Sequence, residues 1–219
     1  LFEDMSGDAE IISVNAGGNL LRRNTFRRCR GQLTLRHGAG STVDGNIFLT
    51  EGDPEAGGIR VIGARHRVIN NYIEGVRSGA VARGGIVLVS GQVDPKDVGY
   101  AQVQDALIAF NTIVDSEQSL MFGADTNTLA PADVTLANNL IAGARGSVVA
   151  VGTGLLRPKI AGNLYGGAPL GFSPAMGFRD VDPRLARGAD GLLRPGAGSP
   201  ALGAADALAS VPEDLDGQP

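Results

Sequence analysis

Residues 8–38 read DAEIISVNAGGNLLRRNTFRRCRGQLTLRHG. Two short runs in this stretch alternate apolar and polar residues, IISVN from Ile11 and LTLRH from Leu33, with Asn24-Thr25-Phe26 at a turn between them. Laid over one another, they pair Ile12 with Leu33, Ser13 with Thr34, Val14 with Leu35 and Asn15 with Arg36, a constant offset of 21 residues. Side chains alternate between the two faces of a strand. Ile12, Val14, Leu33 and Leu35 therefore share an inner face, and Ser13, Asn15, Thr34 and Arg36 an outer one. One turn of a stacked coil brings position 15 beside position 36.

The rest of the chain repeats the plan. An Asn followed by two apolar or β-forming residues recurs at Asn24, Asn46, Asn71, Asn111, Asn139 and Asn163, at spacings of 22, 25, 40, 28 and 24 residues. Strand-like runs accompany them: IISVN, LTLRH, IRVIG, IVLVS, LMFGA and VVAVG. No long amphipathic helix interrupts the chain between Ile11 and Tyr165. Short strands at this period, with Gly and Asn at the turns, predict an all-β chain folded as a right-handed parallel β-helix, a solenoid. Inward rows of Ile, Val, Leu and Phe form its core. The Asn residues can bond along the stack as a ladder, and Asn tolerates a left-handed turn conformation. A propeller would need longer repeats, and a leucine-rich repeat a denser leucine pattern.

Residues 1–170 are assigned to coils and 171–219 to an irregular segment, rich in Pro, Gly, Ala and Asp, that packs on the last coils. The long interval between Asn71 and Asn111 holds an insertion, VSGQVDPKDVGYAQVQ, expected as a loop on the binding face. Nothing before Asp8 resembles a capping helix. An uncapped coil exposes unpaired backbone, so an upstream segment or a partner chain is expected over that end.

Composition narrows the function. Gly makes up 33 of 219 residues, about twice the usual share of roughly 7%, without the Gly-X-Y period of collagen. A net charge of −4 argues against a general nucleic-acid binder, and no apolar run reaches membrane-spanning length. Of the 19 basic residues only Lys96 and Lys159 are Lys. Either genome composition favours Arg, or guanidinium groups face a carboxylate-bearing polyanion, which they match in bidentate fashion. Cys29 is the single cysteine and reads as a small buried side chain. LFEDMSGDAE has neither the basic nor the apolar region of a signal peptide.

The pattern ISVNAGGN, NTF, LTLRHG, GGIRVIG and VINNYIEG resembles polysaccharide lyase family 6, which includes alginate lyases and chondroitinase B. The resemblance runs from about Asp8 to Asn139, and the ending SPALGAADA with DLDGQP is similar to that of secreted β-helix proteins. It implies a secreted or periplasmic enzyme that cleaves an anionic uronate polysaccharide, alginate ahead of dermatan, by β-elimination. A base takes the C5 proton while a cation, calcium in most members, neutralises the adjacent carboxylate.

By the same resemblance, Arg36 is the catalytic Arg, Asp8 and Glu10 are calcium carboxylates, Arg60 grips a substrate carboxylate, and His37 and His66 are candidates for subsite contacts, with a structural or groove-rim place the other reading of His66. Strict alternation would turn Glu10 inward, so its role requires a bend before Ile11. The family base is a Lys at the position held here by Asn15. An amide has no basic lone pair near neutral pH. Asn15 is then an engineered change, the mark of a natural inactive homologue, or a natural variant with another base, for which His37 is the candidate within this stretch if the strand end bends. The alternative function is a polyuronate-binding β-helix without catalysis. A purely structural solenoid is the third reading.

Overall fold

The computed structural model describes residues 1–77, 82–96, 98–208 and 210–218; position 97 of the insertion falls outside them. The described chain is all β, wound as a parallel β-helix of three sheets. The site sheet stacks Glu10–Val14, Gly31–Leu35, Ala56–Val61, Ile86–Val89, Leu120–Ala124 and Val149–Val151. These are the six apolar runs of the sequence, one per coil. The long sheet holds eight strands, from Phe2–Glu3 and Thr25–Arg27 to Asn163–Gly166 and Phe178–Asp180; a strand begins one residue after each recurring Asn from Asn24 to Asn139, and at Asn163 itself. Asn24-Thr25-Phe26 thus opens a strand rather than forming a turn. Between the two lies a middle sheet of six short strands, from Leu20–Arg22 to Lys159–Ala161. At three residues each, those strands are too short for alternation to reveal them in sequence.

The 21-residue offset is observed: Ile12 pairs with Leu33, Ser13 with Thr34 and Val14 with Leu35, all parallel. The inner rows follow, Ile12–Leu33–Ile59–Ile86–Leu120 and Val14–Leu35–Val61–Leu88–Phe122. On the long sheet Phe2, Phe26 and Phe48 stack with ring centroids 4.8 Å apart, the spacing of neighbouring strands. Cys29 is buried in this core, as its small size suggested.

The Asn ladder forms in full. Each Asn Oδ1 accepts from the backbone N–H and the carboxamide of the Asn one coil earlier, from Asn46 through Asn71, Asn111 and Asn139 to Asn163. The left-handed turn residue, however, is the one before each ladder Asn: Arg23, Gly45, Asn70, Phe110, Asn138 and Gly162, with φ between 54° and 66°. The ladder Asn itself turns its side chain inward, where its amide satisfies the backbone of a tight corner.

Arg is used chiefly between coils. Arg28–Asp4, Arg27–Glu51 and Arg157–Asp133 pair across 24 residues, and Arg22–Asp44 across 22, one turn in each case. Exposed pairs of this kind add little individually, and they occupy much of the Arg excess that composition left open to a polyanion.

The C-terminal segment docks over more of the helix than its last coils. Phe178–Asp180 still belongs to the long sheet, so coils extend past position 170. An antiparallel hairpin, Leu185–Arg187 with Leu193–Pro195, follows. The chain then runs back along the stack: Asn138 donates to Asp206 O, Arg67 to Ser210 O and Asn70 to Glu213 O. Val211 packs with Ile69, Ala109 and Ala137, and Leu192 with Tyr72 and Val114.

Candidate functional site

The outer face of the site sheet carries the site. Glu10 pairs with Gln32, but the next pair is Ile12 with Leu33, so Ile11 is an extra residue, a β-bulge. One inserted residue reverses the alternation, and Glu10 moves outward. The sequence reading asked for a bend before Ile11; the structure changes the facing of Glu10 by an inserted residue at Ile11 instead. Glu10 Oε1 lies 2.8 Å from Arg36 Nη1 and 3.6 Å from Arg60 Nη1. Arg60 is held in register opposite Thr34, two positions along from Arg36, and points the same way.

Two residues that the sequence did not single out complete the cluster. Tyr100, from the insertion, lies against both guanidinium groups, its ring centroid 5.4 Å from Arg36 Cζ and 5.2 Å from Arg60 Cζ. Arg60 Nη2 donates to its hydroxyl at 3.3 Å and to Asp125 Oδ2 at 3.4 Å. Asp125 follows the Leu120–Ala124 strand. The one signal for Tyr100 was its place as the sole aromatic in the loop expected over the binding face; nothing marked Asp125. The floor beneath is polar: Gln32 Nε2, Thr34 Oγ1 and Arg60 Nε are buried without hydrogen-bond partners among the described residues.

Electrostatically the cluster is balanced, two guanidinium groups against two carboxylates. Burial pulls the Arg36 pKa down, but the Glu10 hydrogen bond and Tyr100 outweigh it and leave the group above its ordinary value. Arg36 therefore stays charged at any physiological pH. A guanidinium held charged in this way can stabilise negative charge but is a poor proton donor.

The remaining expected residues divide. Asn15 is exposed at the end of its strand, and its amide turns back to Ser13 O and Oγ at 3.4 and 3.3 Å. The backbone N–H groups of Arg36 and His37 converge on Val14 O, so the strand bends there and His37 is half-buried rather than in the core. His66 is not a subsite residue. It is fully buried, with Nδ1 accepting from Ser41 N at 3.1 Å and Nε2 at 3.0 Å from Ile62 O. Burial lowers its pKa, against those backbone bonds, and keeps the ring neutral.

Asp8 is exposed, accepts from Ala9 N at 2.5 Å and lines a cleft with Arg30, Glu55 and Arg83 that excludes Glu10. Among the described residues no three His, Cys, Asp or Glu side chains gather as a metal site. Calcium takes about 6–8 oxygens. Asp8 and Glu10, turned to different partners, supply only part of such a set.

The profile of the chondroitinase B family matches residues 1–156, most of the chain. This protein belongs to the chondroitinase B family. Among solved structures, the family 6 alginate lyase AlyGC superimposes with a TM-score of 0.75 at 34% identity, over 88% of this chain and 27% of its own. A mannuronic-acid-specific family 6 lyase from the human gut microbiota gives 0.65 at 28%, over 82% and 44%. The alginate lyase AlyF-OU02, at 22% identity and a TM-score of 0.71, shares the fold over 94% of this chain and 49% of its own. The chain thus spans about a quarter to a half of these solved relatives. No curated protein matches it by sequence. The family 6 resemblance drawn from LRHG and GGIRVIG is upheld, and this chondroitinase B relative is homologous to polysaccharide lyases.

Proposed function

We propose that the chain forms part of a polysaccharide lyase that grips a uronate polymer, alginate, between Arg36 and Arg60 and cleaves it by β-elimination. One observation carries the reading: Glu10 Oε1 already sits between the two guanidinium groups, at 2.8 and 3.6 Å. That position is the right size and charge for a carboxylate, and a uronate takes it by exchange with Glu10. With the substrate carboxylate so neutralised, negative charge developing at C5 spreads onto oxygens that face fixed cations. Alginate is favoured over dermatan because the solved lyase at 34% identity acts on it by name. A secreted or periplasmic location goes with a polymeric substrate. Calcium is proposed only as an ion for which Asp8 and Glu10 would supply part of a larger oxygen set.

A second reading has its own support. Where the resemblance puts the family's base, Asn15 offers only an amide, turned back onto Ser13, which favours a polyuronate-binding relative without catalysis. Absorbance of the conjugated product double bond, on alginate and on dermatan sulfate, separates the two. Native protein, Asn15→Lys and Arg36→Ala are compared, with calcium and with chelator. Product from the native or the Lys protein, lost in Arg36→Ala, supports the lyase; binding without product from either supports the binding module.

A further inference from the structure

Elimination requires a group that accepts the C5 proton, and neither Asn15 nor the guanidinium groups can. Tyr100 brings a phenol hydroxyl into the cluster. Its ring lies against Arg36 and Arg60 at 5.4 and 5.2 Å, and Arg60 Nη2 already donates to its oxygen at 3.3 Å. It reaches the site from the insertion, not from a coil. It therefore stands on the same outer face as Arg36 and Arg60, where a uronate carboxylate would displace Glu10. An oxyanion formed there would be met by a donor already in place.

We propose that Tyr100 is the proton-transfer residue of this site, taking the C5 proton of a bound uronate and returning it to O4 of the departing sugar. This rests on the lyase reading above. As tyrosinate, the oxygen removes the proton. The C5–H electron pair becomes the C4=C5 double bond, and the C4–O bond breaks with its pair on O4. The phenol so formed gives its proton to O4. An unsaturated uronate and a hydroxyl end leave, tyrosinate is regenerated, and no other reactant is consumed. One hydroxyl serving both atoms requires C5–H and C4–O on the same side of the ring. Mannuronate has that relation, so polymannuronate is the probe.

The test compares full-length native protein, Tyr100→Phe, Asn15→Lys and the double variant, by absorbance of product and by titration with polymannuronate. Tyr100→Phe should lower kcat by about 10²–10⁴-fold, the usual contribution of acid–base catalysis, with binding within about threefold. Asn15→Lys should restore cleavage to Tyr100→Phe, because an amine at that position supplies a base. Unchanged kcat in Tyr100→Phe or an effect confined to KM would overturn the role. If only proteins carrying Asn15→Lys cleave, the lyase reading stands and the Tyr100 role falls. If none cleaves, both fall.

Discussion

Replacing Asn111 with Ala tests what holds the stack at one corner. Its side chain is fully buried. Oδ1 accepts from Asn71 N at 3.0 Å and Asn71 Nδ2 at 2.9 Å, while Nδ2 donates to Val68 O at 2.8 Å and Asn139 Oδ1 at 2.9 Å. In the variant, Asn71 Nδ2 keeps Val43 O and Ile69 O, but the buried Asn71 N–H loses its acceptor, at about 1–3 kcal/mol. The two donated bonds account for a further ~0.5–1.5 kcal/mol each. The expected loss is about 4 kcal/mol. At roughly 2–4 °C per kcal/mol for a chain of this length, Tm falls by about 8–16 °C.

Asn111→Asp conserves volume and should lose at least as much at neutral pH, because its buried anion faces Val68 O and Asn139 Oδ1. Calorimetry and urea titration measure the change, and hydrogen exchange at Asn71 reports it locally. Exposed Asn15→Ala is the control. A loss below about 1 kcal/mol in Asn111→Ala, or one no larger than the control's, would refute the ladder as a stabilising element.

Two further outcomes follow from the site. Glu10→Gln removes the internal rival for Arg36 and Arg60, so polyuronate should bind about 3–10-fold more tightly by calorimetry at fixed salt, equivalent to roughly 1 kcal/mol. Weaker binding would instead make Glu10 a ligand that the substrate complex needs, as a calcium role requires. Burial lowers the His66 pKa from 6.5. Above that value both folded and unfolded states are neutral; below it the unfolded chain binds the extra proton, and stability falls with pH at up to about 1.4 kcal/mol per unit. Urea midpoints between pH 7 and 5 should decline accordingly, with this component absent in His66→Asn; a flat native profile would show that the ring is protonated in the fold.

The sequence by itself determined the solenoid, its period and the ladder. Parallel coils stack each residue on its counterpart one turn away, so the pairing of Leu33 with Ile12 and the alignment of six Asn residues are periodic and readable in one dimension. Arg36 was legible for the same reason, since an outward position on a regular strand follows from alternation. Tertiary structure decided what alternation cannot carry. The extra residue Ile11 reversed the facing of Glu10. Turn geometry put the left-handed conformation on the residue before each ladder Asn. Packing buried His66 against Ser41 and Ile62 although its neighbours in ARHRV are charged. Tyr100 and Asp125 met Arg60 from 40 and 65 residues away. Such meetings depend on how loops close over a finished sheet, a long-range property that no local spacing encodes.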